Sequence, residues 1–164
     1  MRVSWNRLAE FALVYVVSYL LLARAWSGGL ARSVIEDGTV PPAAFLLRAS
    51  GIAPAATADG SWLRAPGASL HVLAGCEGTD AWLVLVAGLL VAPMSWPRRL
   101  AGLAAGTLIV FALNQARLLA LFLALRDHPS WFGTLHGLVA PALLVAAAGL
   151  FFLAWTRARP GAPA

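Results

Sequence analysis

Four apolar stretches constrain this chain more than any other feature of its sequence. A bilayer core of about 30 Å needs roughly 20 predominantly apolar residues in a helix. The stretches predict helices at about 8–22, 81–96, 100–125 and 138–155, the second of them short because prolines follow Val91. With 60% hydrophobic and 12% charged residues, we predict a single all-α domain over residues 1–164, a multi-pass membrane helical bundle of about four transmembrane helices.

The arginines predict the orientation, because cytoplasmic loops of membrane proteins carry an excess of basic residues. Three arginine pairs flank the predicted helices on one side of the membrane: Arg2 and Arg7, Arg98 and Arg99, and Arg157 and Arg159. The pair Arg98 and Arg99 is expected to fill a tight turn between the second and third helices. Every acidic residue except Glu10 falls on the other side. We therefore expect a cell inner membrane protein with both termini in the cytoplasm and an extracytoplasmic loop over about 24–80.

The basic balance does not indicate nucleic-acid binding. The formal net charge is +5, but the arginines lie mostly at the ends of apolar runs, not in a solvated patch with interleaved aromatic residues. The histidines are scattered and none pairs with a glutamate at a ligand spacing on a helix, so we expect no metal and no cofactor. Membrane lipids are the partners that the composition predicts.

Within the long loop, two short elements are predicted. Residues 41–48 begin with two prolines and continue with apolar residues, as expected for a short interfacial helix. Residues 69–73 alternate like a brief strand that leads toward Cys76.

Cys76 is the only cysteine of the chain and stands at the outer start of the second predicted helix. Without a second cysteine it cannot form a redox couple, which excludes a disulfide oxidoreductase. The positive end of a helix dipole and a nearby guanidinium would both favour the thiolate, the nucleophilic form. Gly75 and Gly78 would leave room for a substrate backbone near the sulfur. The alternative is an inert, packed cysteine or a lipidated one.

Arg117 lies inside the third predicted helix, about 12 Å below its outer end at 1.5 Å per residue. Such a position costs about 2.5 to 3.5 kcal/mol on insertion scales. Asn114 shares its helical face, so the two side chains are predicted to form a polar stripe directed into the bundle. The alternatives are that Arg117 snorkels outward, or that it pairs with Glu77 or Asp80.

Three histidines compete for the role of a catalytic base. His71 and His128 fall in outer loops, where a solvated surface histidine is the commoner case. His136 precedes the last apolar run, and Pro141 has no N–H to bond the carbonyl of Gly137. The turn beside His136 is therefore predicted to deviate from an ideal helix, which favours His136 modestly.

Three motifs in this order resemble the exosortase/archaeosortase family, and the chain resembles its compact members. They are Gly75-Cys76-Glu77-Gly78, Asn114-Gln115-Ala116-Arg117 and His136-Gly137. The resemblance covers about residues 70–159. It implies a membrane cysteine peptidase or transpeptidase with a catalytic triad of Cys76, Arg117 and His136. It also implies substrate proteins whose C-terminal signal combines a short motif, a transmembrane helix and a basic cluster.

The expected mechanism is acyl transfer at the outer membrane face. The Cys76 thiolate attacks a backbone carbonyl, His136 protonates the leaving amine, and Arg117 holds the thiolate or the developing oxyanion. Asn114 would orient Arg117 as a supporting residue. The competing hypothesis is a non-catalytic membrane partner or scaffold protein with a structural or lipidated cysteine.

Overall fold

The structure, a computed structural model, describes residues 5–158. Arg2 and Arg159, which contributed to the predicted orientation, lie outside this range. Six α-helices and three β-strands follow in chain order: α1 Trp5–Ala25, α2 Val40–Ala49, β1 Thr57–Asp59, β2 Trp62–Ala65, β3 Ala68–His71, α3 Thr79–Val91, α4 Trp96–Asp127, α5 Pro129–Thr134 and α6 Ala140–Arg157. Short π-helical turns cover Trp26–Leu30, Ser33–Asp37 and Leu135–Val139.

Three helical segments are long and apolar enough to cross a membrane, which confirms the multi-pass helical bundle. They are Trp5–Leu30, Trp96–Asp127 and Pro129–Arg157, with 26, 32 and 29 residues. Helix α3 is apolar but has only 13 residues, a length of about 20 Å. It begins at Thr79 and ends at Val91, five residues before the predicted end at Trp96 (96 − 91 = 5). Ala92 adopts an extended conformation and Pro93 follows it, so the helix cannot continue.

The turn between α3 and α4 comes earlier in the chain than predicted, at residues 92–95 instead of 97–99. Arg98 and Arg99 lie in the first turn of α4, so the expectation that they fill the connecting turn was wrong. Arg99 instead closes the end of α3: its guanidinium donates to the carbonyls of Leu89 (3.1 Å) and Ala92 (3.0 Å). Carbonyls at a helix C-terminus lack partners within the helix, and a cation satisfies them well.

Helices α3, α4 and α6 pack together at the end of the bundle that carries Arg98 and Arg99. Their buried cluster consists of Ala81, Leu85, Leu89, Val110, Leu144 and Ala148. Gly102 and Gly106 of α4 allow this close approach, because a Cβ on Gly106 would lie 2.6 Å from Leu85 and a Cβ on Gly102 would overlap Trp155. Small residues four apart commonly let membrane helices approach each other. Helix α1 packs on α3 but buries none of its residues, as expected for a helix that faces lipid.

A second layer covers the other end of α4. Strands β1, β2 and β3 form an antiparallel sheet in that order, with Leu63 opposite Leu70. Helix α2 and the sheet bury Leu47, Leu63 and Leu70 against Phe122 and its neighbours on α4. Helix α2 agrees with the predicted helix at 41–48, and β3 agrees with the strand predicted at 69–73. The sheet as a whole was not predicted. It makes the loop a folded cap over the end of the bundle opposite Arg98 and Arg99.

Candidate functional site

A cavity of about 410 Å³ lies where the cap meets α4 and the start of the last transmembrane segment. Its walls come from the sheet and the turn after it, from the C-terminal half of α4, and from the α5 region. Cys76 and His136 both line this cavity. The fold thus brings together two of the three residues of the predicted triad, a thiol and an imidazole, although they come from distant parts of the chain.

Cys76 lies in a tight turn between β3 and α3. Its N–H donates to the carbonyl of Leu73 at 2.9 Å, and glycines with positive φ stand on either side, Gly75 at +93° and Gly78 at +84°. The left-handed conformation is strained for other residues, so the turn requires glycine at both positions. Cys76 is only 9% exposed and belongs to the buried cluster of the cap. Although it is largely buried, Cys76 lines the cavity.

His136 lies on the π-helical turn Leu135–Val139. This confirms the prediction that the turn near Pro141 departs from an ideal helix. Wide turns of this kind recur at functional sites, because they re-aim a side chain and free backbone groups. The ring of His136 stacks on Phe132, with centroids 5.5 Å apart and planes 5° from parallel. Its Nδ1 is buried and has no hydrogen-bond partner within the described residues.

Three polar residues within one turn of α4 are directed into the protein. Asn114 is 1% exposed, Gln115 3% and Arg117 9%. This confirms the prediction that Asn114 and Arg117 face the bundle interior. Within residues 5–158 Arg117 forms no ion pair, so the structure offers no support for the alternative pairing with Glu77 or Asp80.

Arg117 is near the cavity without lining it. The next residues on its helix, Leu118 and Leu121, do line the cavity. The Nε atom of Arg117 is buried and lacks a hydrogen-bond partner in the described part of the chain. A buried, charged group that lacks a partner is costly, so the burial of Arg117 is not explained by an ion pair among the described residues.

The contact between Gly78 and Asn114 connects the cysteine turn to α4, the helix that carries Arg117. A Cβ on Gly78 would lie 3.2 Å from the side-chain amide of Asn114, tighter than ordinary packing permits. Glycine at 78 therefore lets the cysteine turn rest directly on the polar face of α4. Gly75 has nothing within 4 Å of the equivalent position, so its role is conformational.

His71 is a cavity residue to which sequence reasoning gave little weight. It stacks on Trp62, with ring centroids 4.1 Å apart, and its Nε2 lies 3.0 Å from the hydroxyl of Ser61. It lines the same cavity as Cys76 and His136. The available signal was its place in the strand that leads into the cysteine turn. His128 ends α4 and is absent from the described cavity wall.

Among residues 5–158 no three His, Cys, Asp or Glu side chains are grouped closely enough to hold a metal ion. Glu77 and Asp80 are close to Cys76 in the sequence but do not line the cavity that contains it. The carboxylate of Glu77 accepts a hydrogen bond from the hydroxyl of Thr79 at 2.5 Å. Glu77 and Asp80 line a second cavity, also about 410 Å³, which lies between the cysteine turn and the C-terminal end of α1. The cysteine turn therefore separates two cavities.

The fold and the cavity together define the class of protein. It is an integral membrane helical bundle in which a cysteine and a histidine line one capped cavity. The model of the transmembrane exosortase family (Exosortase_EpsH) matches residues 4–156. The chain therefore belongs to the transmembrane exosortase family. No curated protein and no solved structure matches it.

Proposed function

We propose that this protein is a membrane-embedded cysteine peptidase or transpeptidase that cleaves C-terminal protein-sorting signals. The proposed site is Cys76, Arg117 and His136, and it would act at the extracytoplasmic membrane face through an acyl-enzyme. The observation that carries the proposal is the cavity that Cys76 and His136 share, in a chain of the transmembrane exosortase family.

In the first step the Cys76 thiolate attacks the carbonyl carbon of the scissile peptide bond, and a C–S bond forms as the carbonyl oxygen becomes an oxyanion. When this intermediate collapses, the C–N bond breaks and the leaving amine takes a proton from His136. The leaving fragment carries the transmembrane helix and the basic cluster of the signal. The rest of the substrate remains on Cys76 as a thioester.

In the second step water or an amine attacks the thioester. His136 accepts the proton of that nucleophile, the C–S bond breaks, and the thiolate of Cys76 is restored. Attack by water gives hydrolysis, and attack by an amine gives transfer to an acceptor. A cavity of about 410 Å³ has room for an extended peptide segment beside the thiol.

Arg117 is proposed to stabilise negative charge on the sulfur or on the oxyanion. Its support is burial without an ion-pair partner inside residues 5–158, one position before a cavity residue on α4. A fixed cation in a low-dielectric site stabilises a developing anion strongly, because no solvent has to reorganise. Asn114, Gly75 and Gly78 are proposed as supporting residues that set the position of the cysteine turn over α4.

The proposed orientation places the cap and the cavity outside the cell inner membrane and both termini in the cytoplasm. Within the described range, Arg7, Arg98, Arg99 and Arg157 all lie at the end of the bundle away from the cap. The cap side also carries arginines, but they are mixed with the acidic residues of the chain, and three of them, Arg32, Arg64 and Arg126, pair with carboxylates. The unmixed arginines at the other end support the orientation through the positive-inside rule.

The test is co-expression with a protein that carries a C-terminal motif, a transmembrane helix and a basic cluster. Cys76→Ala and Cys76→Ser should abolish processing while membrane insertion and abundance stay near wild type. Ser69→Ala is the matched control, because Ser69 lines the same cavity and has no proposed role. In wild-type protein quenched during turnover, the substrate should be detected as a thioester on Cys76.

Three outcomes would contradict different parts of the proposal. Processing at the wild-type rate by Cys76→Ala would exclude the covalent mechanism. A fatty acyl thioester on Cys76, seen by mass spectrometry with no substrate cleavage, would favour the alternative of a lipidated scaffold protein. Labelling by a membrane-impermeant thiol reagent only after the cytoplasmic side is opened would overturn the orientation.

A further inference from the structure

A groove of about 530 Å³ lies at the end of the bundle opposite the proposed active site. Helices α1 and α6 both pack on α3, and the groove lies between them, with the C-terminal end of α3 and the following turn as its floor. Its wall is mostly apolar, with Phe11, Val91 and Phe152 among the lining side chains. This groove shares no lining residue with the Cys76 cavity.

Three arginines line the same groove: Arg7, Arg98 and Arg157. In the described part of the chain neither Arg98 nor Arg157 pairs with a carboxylate, and only Arg7 does, with Glu10 at 3.0 Å. Arg98 donates to the carbonyls of Trp155 and Ala158 and is half-buried, whereas Arg157 is exposed. The groove therefore combines an apolar channel with a net positive rim.

We propose that this groove binds one phospholipid with an anionic head group. The acyl chain would lie along the apolar wall between α1 and α6, and the phosphate would contact the arginines at the rim. Basic pockets between transmembrane helices bind anionic lipid head groups through this combination of contacts. Arginine is well suited to phosphate, because its planar guanidinium donates two parallel hydrogen bonds.

Charge complementarity decides between a lipid and a protein helix as the occupant. A substrate signal of the kind proposed above ends in a basic cluster after its transmembrane helix. That cluster would lie at the arginine end of the bundle, where the net positive rim would repel it. The same rim attracts an anionic head group. The groove is thus expected to hold a lipid while the substrate helix docks elsewhere.

The test is native mass spectrometry of full-length protein with bound lipid, after purification from vesicles that contain equal amounts of phosphatidylglycerol and phosphatidylcholine. Wild-type protein should retain one phosphatidylglycerol in clear preference to phosphatidylcholine. Arg157→Gln should lower that retention about fivefold, the effect of one arginine near a head group. The matched control is Arg24→Gln, since Arg24 is an exposed arginine in the last turn of α1 at the other end of the bundle.

Leu153→Trp tests the apolar part of the site. Leu153 lines the groove and is 38% exposed, so a larger side chain should fill the channel without disturbing the buried cluster, and it should also lower lipid retention. Equal retention of the two lipids by wild-type protein, or equal loss in Arg24→Gln and Arg157→Gln, would overturn the proposal. Crosslinking from position 153 to an added signal helix, with no crosslink to lipid, would identify the occupant as a protein. None of these readouts depends on peptidase activity, so failure here leaves the proposed function standing.

Discussion

Gly78 and Asn114 are in close contact, and through them the cysteine turn is held against α4. A Cβ on Gly78 would approach both the Cβ and the amide of Asn114 within 3.2 to 3.3 Å. Gly78 is also the N-cap of α3 and has a φ of +84°. Gly78, two residues beyond Cys76, thus meets three requirements at once. It forms a left-handed turn, it begins a helix, and it contacts the buried Asn114.

Gly78→Ala should therefore destabilise the protein more than Gly75→Ala. Both substitutions impose the strain of a left-handed alanine, about 1–2 kcal/mol. Only Gly78→Ala adds a steric conflict, because the space next to Gly75 is open. Thermal unfolding in detergent measures the difference. Adding Asn114→Ala to Gly78→Ala should recover the part of the steric cost that comes from the amide, and leave the strain and the contact with the Cβ of residue 114. Equal unfolding temperatures for the two single variants would contradict this account.

The two cavity histidines should differ in importance. His136 has a buried Nδ1 without a partner in the described range, whereas His71 is fixed by Trp62 and Ser61. We expect His136→Gln to lower the rate of substrate processing about 10²–10⁴-fold, the usual contribution of a general acid–base group. His71→Gln should lower it by less than about tenfold. The rates are compared on equal amounts of inserted protein. The reverse order would assign the proton transfer to His71.

The helical part of the fold could be predicted from sequence, because the length and apolar composition of the stretches indicate membrane helices. The end of α3 was placed too far along, since Ala92 leaves the helix before the prolines are reached. The turn around His136 was predicted correctly, because the missing N–H of Pro141 is a local property that one residue determines.

The cap could be predicted only in part. Strand β3 was visible as a short alternation, but β1 and β2 have 3 and 4 residues, too few for a pattern to stand out. Their pairing depends on contacts across the sheet and with α4, which are not local. The place of His71 in the cavity wall was missed for the same reason, because only the sheet brings it to the cavity that contains Cys76.

The packing between α4 and its neighbours should tolerate no side chain at Gly106. A Cβ there would lie 2.6 Å from Leu85 and 2.9 Å from Phe151, so Gly106→Leu must push α3 or α6 away. Overpacking of this kind typically costs about 1–3 kcal/mol or more. Gly149→Leu is the matched control, since Gly149 has nothing within 4 Å. The unfolding temperature in detergent should fall for Gly106→Leu and change little for Gly149→Leu. A similar fall in both would mean that these helices do not approach as closely as described.

Substitutions of Arg117 distinguish a catalytic role of this residue from a structural one. Removing one partner of a buried ion pair typically costs about 3–5 kcal/mol, but Arg117 has no carboxylate partner within residues 5–158. Arg117→Gln should therefore leave the free energy of unfolding unchanged or raise it. Arg117→Lys keeps the charge and loses the planar fork, so it should fold and process poorly.

If Arg117 stabilises an anion at the proposed site, Arg117→Gln should lower the rate of processing about 10²–10³-fold, as loss of an oxyanion donor does. Gln115→Met is the control, because Gln115 is also buried on the same helix and carries no charge. It should leave the rate of processing near that of wild type. A wild-type rate for Arg117→Gln, on protein shown to be folded, would remove Arg117 from the proposed site and leave Cys76 and His136 to act without it.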